Sequence, residues 1–123
     1  MGDYLNFKHK YQIYDADFLE KALGRFSDNI KTLHIFSDSP RQALDLVASV
    51  PAASRFELVL NEDSILPALR AMSSMQELII SCSTFSWWGA WLGSHEKVIV
   101  HKKWFVGEIS DYEDIYRPGW IRL

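Results

Sequence analysis

An α/β domain, with about four parallel strands layered between helices, is what this sequence predicts. Short apolar runs alternate with segments whose apolar residues recur at helical spacing. Ser, Thr or Asp, often followed by Pro or closed by Gly, punctuates the joints. The 123 residues suffice for one domain, residues 1–123, able to bury about 65% of its unfolded surface without disulfides.

Phe18, Leu19, Ala22, Leu23 and Phe26 define an amphipathic helix from Asp15 to Phe26, with Asp15 as N-cap and Gly24 or Ser27 at its end. Thr32 to Ser37 suits a buried strand. Ser39, Pro40 and Gln42 then read as a capping box around a helix that continues through Leu44, Val47 and Ala48. Phe56 to Leu60 is the second strand. Asp63 or Ser64 caps a helix carrying Ile65, Leu66, Leu69 and Met72, with Pro67 in its first turn. Glu77 to Ser81 is the third strand, and Ser83 or Thr84 caps a helix through Trp88, Trp91 and Leu92 that Gly93 ends. Lys97 to His101 is the fourth strand. The tail from Lys102 to Leu123 reads as irregular or weakly helical. Strands separated by single helices pair in parallel through right-handed crossovers, which gives a three-layer, Rossmann-like architecture. Ligands in such sheets sit beyond the strand C-termini.

Composition narrows the function. A net charge of −3 gives no general basic field, so nucleic acid is not an expected partner. The lone Cys82 cannot form an intramolecular disulfide, which fits a reducing, cytoplasmic setting. No apolar run is long enough to span a bilayer, and Met1-Gly2-Asp3-Tyr4 lacks the character of a signal peptide. No His, Cys, Asp or Glu spacing matches a metal site, and there is neither a Walker loop nor a Gly-rich dinucleotide fingerprint.

Three strand ends can carry chemistry. Ser81-Cys82-Ser83-Thr84-Phe85-Ser86 brings small hydroxyl and thiol residues to a helix start, where free N–H groups and the helix dipole favour an anion. Ser83, Thr84 and Ser86 can add hydroxyl donors; simple N-capping explains the same residues. Trp87, Trp88 and Trp91 read as a packed face. Asp38, after Ser37, can accept from a base or a sugar hydroxyl, or cap a helix beside Ser39. Lys102 or Lys103 can face a diphosphate or lie in solvent. A receiver-like regulatory domain is disfavoured, because no acidic pair follows the first strand.

Ser83-Thr84-Phe85-Ser86-Trp87-Trp88-Gly89-Ala90-Trp91-Leu92 resembles the signature of the α-1,2-fucosyltransferases. Phe36-Ser37-Asp38, Lys102-Lys103-Trp104-Phe105 and the closing Gly119-Trp120-Ile121-Arg122-Leu123 resemble further family segments in the same order. The resemblance implies one half of a two-Rossmann-domain, GT-B-type glycosyltransferase that moves L-fucose from GDP-fucose to the 2-hydroxyl of a galactose-containing acceptor, with inversion and without a metal or cofactor. It implies donor binding by Ser37, Asp38, Ser83, Thr84, Ser86 and Lys102, with Asp3 near the acceptor as the candidate catalytic residue. The implied setting is bacterial polysaccharide synthesis, with peripheral membrane association in the parent protein. The family's His-x-Arg-Arg-Gly-Asp-Tyr is represented only by Gly2-Asp3-Tyr4, so the N-terminal domain and its diphosphate-binding arginine are expected to be absent. Ser39 stands where the family often has a second Asp, and Cys82 where Asn is usual. A non-catalytic module that holds GDP or a GDP-sugar is the alternative.

Overall fold

The computed structural model describes residues 15–104 and 113–123. Asp15 caps α1 (Ala16–Leu23), its carboxylate accepting from Phe18 N at 3.0 Å, and the helix buries Phe18, Ala22 and Leu23. It stops at Gly24 rather than continuing to Phe26. Arg25 N and Phe26 N bond the carbonyls of Ala22 and Leu23, so the last turn tightens and ends the helix. β1 (Thr32–Phe36) leads into α2 (Pro40–Ala48), where Pro40 takes the first turn as expected. The capping box is not formed. The Ser39 side chain caps nothing, and Ser39 N donates instead to Ser37 Oγ at 3.0 Å.

A 3-10 helix (Pro51–Arg55) that periodicity did not suggest precedes β2 (Glu57–Asn61). Arg55 fixes it by donating to Phe26 O and Ile30 O, both at 3.1 Å, while its guanidinium lies 4.0 Å from the Phe56 ring centroid. In α3 (Ile65–Ser73) the buried residues are Ala68 and Met72. Ile65 and Leu66, expected on the packed face, are 73% and 75% exposed. Pro67 in the first turn costs no hydrogen bond there. β3 (Glu77–Ile80), α4 (Thr84–Leu92) and β4 (Lys97–Val100) follow. A short 3-10 turn (Glu113–Ile115) and a fifth strand, β5 (Ile121–Arg122), lie in the tail read as irregular. Gly119, at φ 93°, makes the left-handed turn into β5.

Every strand pair among the described residues is parallel: β1 with β2, β3 with β4, and β4 with β5. The result is an α/β domain of Rossmann-like type, but its described strands form two half-sheets, β1-β2 and β3-β4-β5. Among the described residues no backbone hydrogen bond joins β1 to β3. The halves meet through the turn after α1. Ser27 N donates to Glu77 Oε1 at 3.2 Å, and Lys97 reaches both the Arg25 carbonyl and Glu77. Ser27 lies ahead of β1 and Glu77 begins β3, so both half-sheets start at the same end. Among the described residues, Leu23, Ile80, Ile99 and Val100 are the largest fully buried side chains. No described helix is long and apolar enough to cross a membrane.

Candidate functional site at the mouth of the divided sheet

A cavity of ≈ 560 Å³ separates the half-sheets. Leu33, Phe36 and Ser37 line it from β1, and Ile79, Ser81 and Ser86 from the β3–α4 side. The lining runs from Lys31, Thr32, Gln76 and Glu77 at the strand starts to Ser37, Ser81 and Ser86 at the C-terminal ends of β1 and β3; the latter end, where α2 and α4 begin, is the candidate mouth. Each helix start leaves N–H groups that its own turns cannot satisfy. The dipoles of both helices add positive potential at this mouth.

At α4 the local chemistry is built from serines. Ser83 is the N-cap, and its hydroxyl accepts from Ser86 N at 3.1 Å. Ser86 Oγ lies 2.6 Å from Ser83 Oγ and 2.8 Å from Ser81 Oγ, and Ser86 is buried. This cap occupies the Ser86 amide; those of Thr84 and Phe85, in the first turn of α4, have no acceptor within their own helix. Ser83 is half-buried and Thr84 exposed, so neither is covered by packed side chains. Cys82 is buried beside them and lines the cavity, with its Sγ 3.9 Å from Lys103 O.

Ser37 and Ser86 line the cavity, whereas Ser83 and Thr84 do not; Ser83 is tied to it through its 2.6 Å contact with Ser86. Ser37 Oγ is turned toward Ser39 N, which fixes the loop between β1 and α2. Asp38 is exposed on that loop. Lys102 is exposed at the end of β4, where its backbone N donates to Leu123 O at 2.9 Å and so binds the tail strand. Neither Asp38 nor Lys102 lines the cavity. Asp3 lies outside the described residues. Among the described residues no group of His, Cys, Asp and Glu is arranged to hold a metal ion.

His101, just beyond β4, reads from sequence only as a lone histidine at a strand end, packed or solvated rather than catalytic. Its ring packs against Phe18, with centroids 5.3 Å apart, and its Nδ1 accepts from Lys103 N at 3.0 Å. Burial holds its pKa below the usual histidine value, and the charges of Lys102 and Lys103 act in the same direction; the Lys103 backbone contact and Asp15 oppose the shift without reversing it. The sequence signal was a histidine at a strand end, which alone says nothing of its partners.

The tryptophans divide between packing and exposure. Trp87 stacks on Trp91 (5.2 Å, 7° between planes) and donates from Nε1 to Ile115 O at 2.7 Å. Arg117 lies 4.6 Å from the Trp91 ring centroid. Trp88 and Trp91 remain 46% and 42% exposed. Gly89 lets α4 lie close on α3, because a Cβ there would meet Met72 Sδ at 2.3 Å. α4 is thereby packed closely onto α3.

Comparison with known proteins matches residues 1–123 to the model of glycosyl transferase family 11. The chain is also similar to the "O-antigen biosynthesis glycosyltransferase WbnK" of Escherichia coli, 31% identical over 131 residues. That similarity covers 99% of this chain and 42% of the relative, so the chain spans less than half of the relative's length. No solved structure matches.

Proposed function

The chain belongs to glycosyl transferase family 11, and on that premise we propose that it is the donor-binding half of a glycosyltransferase that moves L-fucose from GDP-fucose to the 2-hydroxyl of a galactose-containing glycan. The observation that carries this reading is that Ser37 and Ser86 line one cavity beside the starts of α2 and α4, with the Ser83 cap bonded to Ser86. Breaking the bond between the sugar and GDP moves negative charge onto the diphosphate. Preorganised N–H groups at Thr84 and Phe85 are suited to stabilise that charge without a metal. Thr84 is exposed, and its hydroxyl is able to donate as well. Asp38 is assigned to the guanosine and Lys102 to long-range attraction of the diphosphate. The resemblance to the O-antigen enzyme supports a polysaccharide acceptor. A cytoplasmic reaction site and inversion at the fucose carbon belong to the same proposal.

NMR titration with GDP tests donor binding in this chain. Shifts should concentrate at Asp38 and Ser83 to Ser86. No shift at saturating GDP would remove the donor site. Assay of the protein with its native upstream polypeptide, using GDP-fucose and lactose, tests the chemistry. Binding of GDP without transfer to any galactoside would leave a GDP-sugar-binding module in place of a transferase.

A further inference from the structure

We infer that the exposed indole of Trp88, with the Thr84 hydroxyl, is the platform for the acceptor sugar, on which a galactoside pyranose stacks beside the donor. This rests on the reading of the first turn of α4 as the diphosphate site. Ser86, Gly89 and Ala90 bury the inner side of α4. The outer side carries Thr84, Trp88 and Leu92 at four-residue spacing, all exposed, with Trp88 at 46%.

The neighbouring indoles already have their partners. Trp87 donates to Ile115 O and stacks on Trp91, and Arg117 lies over Trp91. Trp88 has the T-shaped contact with Trp87, centroids 4.9 Å apart and planes at 88°. Among the described residues its indole N–H makes no hydrogen bond. The contact with Trp87 orients the ring and still leaves it in water. A fixed aromatic left exposed beside a polar site marks a surface for a ligand.

Position selects the ligand. Helical side chains lean toward the helix N-terminus, so Trp88 covers the turn that starts at Thr84. The diphosphate is assigned to the Thr84 and Phe85 amides, and the fucose carbon is bonded directly to it. An attacking hydroxyl must come within about 3–3.5 Å of that carbon. The acceptor ring therefore lies within roughly one helical turn, about 5.4 Å, of the Thr84 amide. Trp88 stands at that spacing. A β-galactopyranose turns the hydrogens of C3, C4 and C5 to one face, and this C–H face matches the negative π-face of an indole. The 2-hydroxyl stays at the ring edge, clear of the contact. The Thr84 hydroxyl and the Trp88 N–H are placed to bond hydroxyls at the rim. The strip is one indole wide, between the α3 contact at Gly89 and the tail contact at Arg117. That suits a single sugar ring better than a protein partner, which covers about 800 Å².

Saturation-transfer NMR with methyl β-D-galactopyranoside, run with and without GDP, is the test. Transfer should be strongest at the C3, C4 and C5 hydrogens of the sugar. Trp88→Ala should raise the galactoside Kd by at least about fivefold while the GDP Kd moves by less than about twofold, and Trp88→Phe should recover part of the loss. Equal transfer to all ring hydrogens, the same galactoside Kd in Trp88→Ala, or no transfer with GDP bound would each overturn the proposal. So would a dimer in sedimentation that Trp88→Ala dissociates and the galactoside does not, which would assign the strip to a second copy of the chain. Absence of GDP binding would overturn the donor reading instead, and the galactoside titration without GDP would still decide on Trp88.

Discussion

Replacing Gly89 by alanine tests how α4 is seated on α3. A Cβ at Gly89 would lie 2.3 Å from Met72 Sδ, 2.8 Å from Cγ and 3.3 Å from Cβ. The sulfur can swing aside, but Met72 Cβ is fixed to its helix, and Met72 is buried. Overpacking of this kind costs about 1–3 kcal/mol. Alanine in a helix interior recovers about 1 kcal/mol relative to glycine. Gly89→Ala should therefore destabilise by about 1 kcal/mol, a urea midpoint lower by about 0.5 M. In a Met72→Ala background the obstacle is gone, and the same change should stabilise by about 1 kcal/mol. The double-mutant cycle, followed by tryptophan fluorescence in urea, should give a coupling energy of about 2 kcal/mol. A coupling near zero would refute the proposed contact.

Three further outcomes follow from named contacts. Gly93→Ala should cost more than Gly89→Ala, about 3 kcal/mol or more, because its Cβ would meet the Ser73 backbone carbonyl at 2.1 Å, and a backbone atom yields less than a thioether; Gly119→Ala, with open space around it, should cost only about 1 kcal/mol from its positive φ, and equal urea midpoints for the two variants would contradict this. Ser83→Ala should lower stability by about 1 kcal/mol through the lost cap and weaken GDP binding in a calorimetric titration, whereas unchanged affinity would separate the cap from the donor site. Stability should fall on acidification. The His101 pKa is lowered, chiefly by burial, so the unfolded chain takes up a proton first and stability begins to fall below about pH 6.5. For Glu77 burial alone raises the pKa, but hydrogen bonds from Ser27 and the Lys97 ammonium outweigh it, so the net shift is downward and a second loss follows below the usual carboxylate range. Urea midpoints measured from pH 8 to pH 3 check both steps, and midpoints independent of pH would contradict them.

Local chemistry made much of the fold readable. Asp15, Pro40, Ser83 and Gly93 mark helix ends because each acts on backbone groups within a few residues of itself. β5 was missed because a two-residue strand has no periodicity, and its register with Ile99 and Val100 depends on a distant partner. The division of the sheet was invisible for the same reason: whether β1 and β3 touch is a matter of tertiary pairing. Ser39 and Ser64 show the limit of capping rules, since both occupy the cap position without forming the side-chain bond. At the candidate site, Ser83 and Ser86 were legible as hydroxyls at a helix start. Their engagement with Ser81 was not, because hydroxyl orientation depends on where the preceding strand ends. The ion pair of Glu77 with Lys97 and its bond to Ser27 span fifty residues of chain in one instance, beyond any pattern read along it.

The parallel indoles of Trp87 and Trp91, closed on one side by the Ile115 carbonyl and capped by Arg117, give the molecule an internal optical gauge. Two chromophores held face to face couple their transitions. Near-ultraviolet circular dichroism should therefore carry a signal that changes when the Ile115 and Arg117 contacts to these rings are lost. Since α4 also opens onto the cavity mouth, one spectrum can follow tail docking and ligand arrival in the same sample.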